Sequence, residues 1–171
     1  MPTNIEIKAR VVDRDMLIAK AQNLAGSERV DIEQDDTFFR CEAGRLKLRT
    51  LGENDGQLIF YQRPNEAGPR ASFYTATSTT DPTGLRTALT LAYGGVGRVR
   101  KHRILFIVGR TRVHLDRVEQ LGDFVELEVT MAEHDDPAEA TEEAEQVMAA
   151  LGIRSDQLIA TAYVDLIAAD Q

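Results

Sequence analysis

The stretch Phe124-Val125-Glu126-Leu127-Glu128-Val129 alternates between two kinds of side chain. Successive side chains of a β-strand point to opposite faces, so Glu126 and Glu128 share one face and the aliphatic residues share the other. Two carboxylates at this spacing can both reach one hard cation. The stretch therefore predicts a strand with an acidic face and an apolar face.

The same alternation recurs elsewhere in the chain. In the stretch 4–8, Glu6 and Lys8 lie opposite two isoleucines, and in the stretch 45–49, Lys47 and Arg49 lie opposite two leucines. Two later strands repeat it, with Lys101 and Arg103 on one face of the first and Arg110, Arg112, His114 and Asp116 on one face of the second. Charged faces thus recur on several strands.

A single charged strand face is best explained as a solvated surface, because antiparallel sheets commonly face water on one side. Several strands with faces dense in arginine, lysine and glutamate favour another arrangement. A sheet closed into a barrel, with its apolar side outward and covered by helices, gives the same pattern around a charged lumen. Because desolvated charges are costly, such a lumen needs a polyanion, metal ions or water inside it.

The element pattern predicts an α+β fold, an eight-stranded antiparallel closed tunnel barrel flanked by about four helices. Its length suits a single domain over residues 1–171. Strands are predicted at 3–11, 37–41, 45–50, 57–63, 71–77, 98–108, 111–118 and 123–131. Helices are predicted at 13–24, 82–92, 136–151 and 155–167, with Asp13, Asp81, Asp136 and Ser155 as their caps. Asp55-Gly56 predicts a hairpin turn.

The net charge of −8 is unevenly distributed. Residues 131–171 contain ten acids and one base, whereas residues 98–117 contain seven bases and one acid. A local basic concentration in an acidic protein indicates a compact anionic ligand and argues against nucleic acid as a partner. No apolar stretch is long enough to span a membrane, and a single cysteine, Cys41, precludes an internal disulfide. These features predict a cytoplasmic protein without membrane contact.

The candidate ligands are carboxylates, chiefly Glu126 and Glu128 with Glu6 on a neighbouring strand. Oxygen ligands without thiols favour Mg²⁺ or Mn²⁺ over zinc. Arginine and lysine side chains would hold phosphate oxygens. Together these groups indicate phosphoryl or nucleotidyl transfer, in which the protein positions groups and neutralises charge. The pattern allows two roles for His114, an ordinary polar residue or a proton carrier.

Several motifs resemble the CYTH, or triphosphate tunnel metalloenzyme, superfamily and are nearest its class IV adenylyl-cyclase-like branch. The matching segments are 4–8 (Asn-Ile-Glu-Ile-Lys), 46–49 (Leu-Lys-Leu-Arg), 61–64 (Tyr-Gln-Arg-Pro), 99–103 (Val-Arg-Lys-His-Arg), 112–116 (Arg-Val-His-Leu-Asp), 121–128 (Leu-Gly-Asp-Phe-Val-Glu-Leu-Glu) and 163–166 (Tyr-Val-Asp-Leu). Two positions depart from the pattern. Asn4 replaces the first glutamate of the family's opening motif, and Gln62 replaces an expected lysine, with Arg63 or Arg70 as the nearest substitute cation.

The resemblance implies Mg²⁺ or Mn²⁺ and a triphosphate along the lumen. It implies metal ligation by Glu6, Glu126 and Glu128, and catalytic roles for Lys8 and Asp116. Phosphate binding is implied for Lys8, Lys47, Arg49, Arg63, Lys101, Arg103 and Arg112.

The sequence leaves three functions open. The first is an adenylyl cyclase that converts ATP into cyclic AMP and pyrophosphate. The second is a triphosphatase acting on tripolyphosphate, thiamine triphosphate or a nucleotide. The third is a polyphosphate binder without catalysis, since Asn4 removes one anionic ligand. A homodimer is also left open.

Overall fold

The computed structural model describes residues 2–170 of the chain. Its strands are β1 (Thr3–Arg10), β2 (Val30–Phe39), β3 (Arg45–Gly52), β4 (Asp55–Gln62), β5 (Arg70–Thr79), β6 (Gly95–Val108), β7 (Thr111–Val118) and β8 (Gly122–Met131). Its α-helices are α1 (Arg14–Leu24), α2 (Pro82–Tyr93), α3 (Pro137–Ala150) and α4 (Tyr163–Ala169). Within the described part of the chain, no helix is both long and apolar enough to cross a membrane.

The strands form a closed barrel in the order β1-β5-β4-β3-β2-β6-β7-β8. Each neighbouring pair is antiparallel. The last strand pairs with the first from Thr3 opposite Met131 to Arg10 opposite Phe124. Closure gives every strand a neighbour on both sides, which protects the sheet edges from pairing with other strands. The predicted eight-stranded antiparallel barrel with flanking helices is confirmed.

The outer face of β1, β7 and β8 is aliphatic and lies beneath α1 and α3. Ile7 and Leu127 are buried in this layer, where they pack with Leu17 of α1 and Ala140 of α3. Burial of this apolar area stabilises the fold without filling the lumen. The main hydrophobic core therefore lies outside the barrel, and the inward positions of these strands are available for polar side chains.

A second apolar cluster brings α4 against the lumen. Tyr163 and Val164 pack in it together with Phe124 of β8, and the Tyr163 and Phe124 rings are 5.0 Å apart. Gly97 of β6 allows this close approach, since a Cβ atom at that position would lie 2.4 Å from Val164 Cγ2. The last helix thereby places Tyr163 among the charged residues of the barrel interior.

Three of the predicted helix starts are confirmed by side-chain caps. Asp13, Asp81 and Asp136 each accept a hydrogen bond from a backbone N–H in the first turn of their helix. Gly94 ends α2 with a φ of 80°, a conformation that favours glycine.

The predicted helix at 155–167 is wrong. Ser155–Gln157 forms a single 3₁₀ turn, and α4 begins only at Tyr163. Between them the chain is extended, with Leu158 bridging to Ala9 and the Ile159 N–H donating to the Lys8 carbonyl. Pairing with β1 supplies backbone hydrogen bonds that compete with continued helix formation.

The predicted turn at Asp55-Gly56 is also wrong, because both residues belong to β4. The chain turns at residues 53–54 instead. Gly56 is required for packing, since a Cβ atom there would lie 2.9 Å from both the Arg49 carbonyl oxygen and Pro82 Cβ. The glycine thus permits close approach of the start of α2 rather than a turn conformation.

Strand β2 begins at Val30, well before the predicted start at residue 37. Its first half is acidic, and aspartate is depleted in strands. Pairing with β6 along its whole length overrides that local preference. As a result Asp36 lies within a strand, at a position that faces the lumen.

Candidate active site

The barrel encloses a cavity of about 310 Å³ with a charged wall and a neutral wall. Ten of the eleven predicted site residues line this cavity, and Asp116 lies behind Arg103. The charged lining residues are Glu6, Lys8, Asp36, Lys47, Arg49, Arg63, Lys101, Arg103, Arg112, Glu126 and Glu128.

Strand register places the two glutamates of β8 between β1 and β7. Glu128 lies opposite Glu6 on one side and Arg112 on the other. Glu126 lies one inward position along, opposite Lys8 and His114. These six residues form two rows across three strands, so one ligand can contact all three strands at once. The rows are Glu6–Glu128–Arg112 and Lys8–Glu126–His114.

Glu126 is held as a carboxylate by its neighbours. Its Oε1 lies 3.2 Å from Lys8 Nζ, and its Oε2 lies 3.2 Å from Arg103 Nη2. Burial favours the protonated form, but Lys8 and Arg103 hold the pKa of Glu126 well below its usual range. Glu126 is therefore an anionic group fixed in place within the lumen.

Glu128 is in the opposite situation. Burial and the charge of Glu6 raise its pKa, and Arg103 offsets this only in part. Like charges directly opposite one another on neighbouring strands are destabilising. Glu6 is compensated by Arg63 Nη1, 2.8 Å from its Oε2. The excess negative charge is thus concentrated on Glu128.

His114 lies beside this carboxylate with an unsatisfied nitrogen. Its side chain is buried, and Nδ1 has no hydrogen-bond partner among the described residues. Nδ1 is 3.9 Å from Glu128 Oε1, beyond hydrogen-bonding distance. Burial, reinforced by Arg103, holds the pKa of His114 well below its usual range, so the imidazole is neutral.

These groups fit a divalent cation. Ligand atoms of His114, Glu126 and Glu128 all lie within 4.8 Å of one another. A cation there would neutralise Glu128, separate it from Glu6 and occupy the unpaired nitrogen. This donor set suits a hard or borderline divalent metal.

Asp116 orients Arg103. Its carboxylate accepts hydrogen bonds from Arg103 Nε at 2.6 Å and Nη2 at 2.7 Å, and a third from the Tyr163 hydroxyl at 2.9 Å. Burial opposes ionisation, but Arg103 keeps the pKa of Asp116 below its usual value. This fork geometry fixes the guanidinium in the lumen wall.

Asp36 is a central residue of the lumen that the sequence analysis missed. It accepts hydrogen bonds from Lys47 at 3.0 Å and from Arg49 at 2.8 Å, and Lys101 Nζ is 3.8 Å away. Burial would raise its pKa, but Arg49, Lys47 and Lys101 hold it well below the usual value. Asp36 lies two positions before inward-facing Phe38, so it falls outside a strand predicted to begin at residue 37 and inside one that begins at Val30.

Two buried lysines are easily deprotonated. Burial lowers the pKa of Lys8 to about 8 despite the attraction of Glu126. Burial and Arg103 lower the pKa of Lys101 to about 7. The deprotonated fraction of Lys8 can accept a proton.

The neutral wall is formed mainly by β4 and β5. Its side chains include Ile59 and Tyr61 of β4 and Ser72 and Tyr74 of β5. Tyr61 lies directly opposite Tyr74. Lys47 and Arg63 already lie near the Tyr61 ring, at 5.4 and 5.5 Å from its centroid. The sequence predicts these strands only as barrel elements, so this wall was not predicted.

Comparison with known proteins identifies the fold and the family. Residues 2–163 match the model of the CYTH domain. The chain belongs to the CYTH domain family. This membership confirms the predicted class, a CYTH-type phosphorus-chemistry enzyme.

The chain is similar to adenylate cyclase CyaB of Aeromonas hydrophila, with 26% identity over 168 residues, covering 93% of this chain and 85% of that protein. The PH1012 protein of Pyrococcus horikoshii shares its fold, with a TM-score of 0.83, 22% identity and coverage of 95% of this chain and 98% of the other. HpAC1 from Hippeastrum, reported to have a dominant triphosphatase activity, has a TM-score of 0.67, 16% identity and coverage of 100% and 97%.

The two departures from the CYTH motifs have different surroundings. Asn4 lines the lumen opposite Thr130 and is buried, and its Oδ1 has no hydrogen-bond partner among residues 2–170. Gln62 is exposed and donates to the Ala43 carbonyl. Arg63, next to Gln62, lines the lumen and pairs with Glu6.

The predicted face shared by Arg110 and Arg112 is wrong for Arg110. Arg110 lies in the turn before β7 and pairs outside the lumen with Asp135 and Glu143. Strand alternation cannot be extended through a turn, which is why the sequence pattern failed there. His102 alternates outward from the face of Lys101 and Arg103, and its Nε2 lies 2.9 Å from Asp31 Oδ1.

Proposed function

We propose that this protein is a metal-dependent enzyme that converts ATP into cyclic AMP and pyrophosphate. The observation that carries the proposal is the division of one lumen into a cationic wall and a neutral wall with tyrosines. A nucleoside triphosphate has the same division, between a polyanionic chain and a planar base. The similarity to adenylate cyclase CyaB supports the same reaction.

The phosphate chain would be bound by the cations of the lumen. Seven lysine and arginine side chains line it against four carboxylates, which leaves an excess of positive charge for a polyanion. Arg112 is exposed at the lumen and would meet the ligand with little desolvation of its own. Arg103 would bind deeper, because Asp116 and Glu126 already fix its guanidinium.

Glu6, Glu126 and Glu128 would hold Mg²⁺ or Mn²⁺. When bound, such an ion supplies neutralisation of the charge that develops on the phosphoryl oxygens. The protein's own contribution is to position the phosphates and exclude alternative geometries.

In the proposed step, the ribose 3′ oxygen attacks the α-phosphorus and forms the cyclic ester. The bond from the α-phosphorus to the α–β bridging oxygen breaks, and pyrophosphate leaves with that electron pair. The 3′-hydroxyl proton passes to neutral Lys8, whose pKa of about 8 provides a deprotonated fraction near neutral pH. The resulting ammonium is stabilised by Glu126, 3.2 Å away.

Triphosphate hydrolysis is the second candidate. The cations of the lumen are numerous enough to hold a triphosphate without any contact to a nucleoside. Water would then attack the terminal phosphorus of tripolyphosphate, thiamine triphosphate or a nucleotide, release phosphate, and pass its proton to Lys8. A third candidate, a polyphosphate binder without catalysis, is supported only by the loss of an anionic ligand at Asn4.

Product analysis distinguishes the three candidates. Purified protein is incubated with ATP or tripolyphosphate and with Mg²⁺ or Mn²⁺, and products are separated by anion-exchange chromatography. Cyclic AMP with equimolar pyrophosphate supports the proposal. ADP with phosphate, or tripolyphosphate cleavage alone, replaces it with the hydrolase, and binding without turnover replaces it with the binder. Glu128→Gln protein controls for contaminating phosphatases.

A further inference from the structure

We propose that His114 is a nitrogen ligand of the lumen metal and that it makes the site selective for Mn²⁺ over Mg²⁺. This inference rests on the proposed function only in that Glu126 and Glu128 would bind the same ion. It changes the predicted oxygen-only ligand set into a mixed nitrogen and oxygen set.

The first argument is the position of His114. It lies on the inward side of β7, two positions after lumen-lining Arg112 and directly opposite Glu126, and Glu128 lies one inward position further along β8. The ligand atoms of all three residues lie within 4.8 Å of one another. Atoms that share one ion at about 2.1 Å are separated by up to about 4.2 Å, so only a small inward adjustment of the side chains is needed.

The second argument is the unpaired nitrogen. A histidine that serves only as a core residue has its buried ring nitrogens hydrogen-bonded. Among the described residues His114 Nδ1 has no hydrogen-bond partner, although its side chain is only 5% exposed. It points toward Glu128 Oε1 at 3.9 Å, a separation that a shared cation explains better than a hydrogen bond.

The third argument is charge. Glu6 and Glu128 lie directly opposite one another, and only Glu6 has an arginine partner within ion-pair distance in residues 2–170. His114 Nδ1, 3.9 Å from Glu128 Oε1, is too far away to donate a hydrogen bond to it, but it can complete the coordination of an ion that compensates Glu128. One divalent cation would therefore satisfy both the unpaired histidine nitrogen and the uncompensated carboxylate.

The ligand chemistry determines the selectivity. Carboxylates suit both Mg²⁺ and Mn²⁺, but of these two ions only Mn²⁺ belongs to the first-row metals that bind mixed nitrogen and oxygen sites. Magnesium also gives up its water ligands reluctantly. Replacing one oxygen donor by His114 should therefore favour Mn²⁺ relative to Mg²⁺.

The test measures Mn²⁺ binding without nucleotide, because adenine also contains nitrogen. Free Mn²⁺ is quantified by its electron paramagnetic resonance signal during titration, and Mg²⁺ is added as competitor. Pulsed electron paramagnetic resonance then measures the magnetic coupling between Mn²⁺ and a bound nitrogen nucleus. It is applied to wild-type protein from cells supplied with either ¹⁴N- or ¹⁵N-histidine. This isotope comparison needs no variant and so does not depend on the folding of one.

The matched variants are His114→Gln and His102→Gln, since His102 lies on the outer face of the barrel. We expect the isotope-sensitive coupling in wild-type and His102→Gln protein and its loss in His114→Gln. Mn²⁺ affinity should fall about tenfold or more in His114→Gln, at least the loss seen when an outer-shell partner is removed. Mg²⁺ affinity should change much less.

Bound Mn²⁺ without histidine coupling, coupling that persists in His114→Gln, or no Mn²⁺ binding would each overturn the inference. If it is overturned while Glu128→Gln still abolishes metal-dependent ATP turnover, the proposed function stands and only the role of His114 fails. If His114 coordinates Mn²⁺ but no triphosphate is converted, the metal site stands and the proposed function fails.

Discussion

The two walls of the lumen are built by the same strand alternation but present different chemistry. On β1, β7 and β8 the inward positions hold Glu6, Lys8, Arg112 and the glutamates of β8. On β4 and β5 the corresponding positions hold mainly aromatic, aliphatic and small polar residues, among them Tyr74. A closed barrel can thus bind a charged and an uncharged part of one ligand on opposite sides.

The two walls also differ in their effect on the stability of the ligand-free protein. Phe38 and Tyr61 belong to an apolar cluster and are stable as they stand. The charged wall contains buried lysines and an uncompensated Glu128. Desolvated charge is costly unless it is paired. Neutral substitutions in the charged wall should therefore lower activity and raise the stability of the ligand-free protein. Substitutions in the neutral wall should instead change which ligand the protein prefers.

The largest effect is expected for Glu128→Gln, which removes a proposed metal ligand and the repulsion with Glu6. Metal-dependent turnover should fall about 100-fold or more, because charge neutralisation at the phosphates is lost. The melting temperature of the metal-free protein should rise or stay equal, since an uncompensated charge is removed. Steady-state kinetics and calorimetry measure the two effects. If the variant turns over substrate at the wild-type rate, Glu128 is not a ligand of the metal.

A smaller effect is expected for Arg112→Ala. This variant tests whether the cations of the charged wall form a phosphate track, that is, a row in which each phosphate of the ligand meets a different cation. Affinity of wild-type protein should rise from AMP to ADP to ATP, because each phosphate meets further cations. Loss of one charge-assisted hydrogen bond should weaken tripolyphosphate binding about tenfold. Binding of single phosphate should change less. Titration calorimetry checks this gradient, with Arg117→Ala on the outer face as control. An equal loss of affinity for every ligand would contradict the existence of such a phosphate track.

Tyr74→Ala tests the neutral wall. Loss of stacking should weaken ATP binding about fivefold, at the low end for base–aromatic contacts. Tripolyphosphate binding should be unchanged, because that ligand has no base. The matched control is Phe73→Ala, since Phe73 is the neighbouring residue of β5 and alternates to the outer face. If both ligands lose affinity equally, the wall contributes to the barrel structure and not to recognition of the base.

The smallest effect concerns pH and Lys101→Met. The pKa of Lys101 is lowered to about 7 in the folded protein, so between about pH 7 and 10 the unfolded chain binds more protons. Stability therefore rises with pH in this window, and the cost of the buried ammonium is fully present below pH 7. Lys101→Met should raise the ligand-free melting temperature by about 3 °C or more at pH 6. The difference should shrink by pH 9.

Melting curves of both proteins at pH 6 and pH 9 check this prediction. A pH-independent difference would show that packing, and not ionisation, distinguishes the variant. With added tripolyphosphate at pH 6, wild-type protein should melt at a higher temperature than Lys101→Met. The ligand stabilises only the protein that retains the Lys101 cation.

The sequence alone determined the barrel and the character of its interior. Alternation is a local property, and a charged residue two positions from another necessarily shares its face in a strand. The inward positions of Glu6, Lys8, Arg103, Glu126 and Glu128 could therefore be predicted without knowledge of strand order. The caps at Asp13, Asp81 and Asp136 were equally local, because each acts on the first turn of its own helix.

Only the tertiary structure decided which charges meet. Asp36 reaches Lys101 because β2 pairs with β6, and His114 reaches Glu126 because β7 and β8 have one particular register. Register depends on turns and on the packing of helices against the outer face, and a shift of one residue would reverse every side chain. The neutral wall arose in the same way, from Tyr61 and Tyr74 meeting across β4 and β5. Pairing between distant segments, rather than any local pattern, assembled the site.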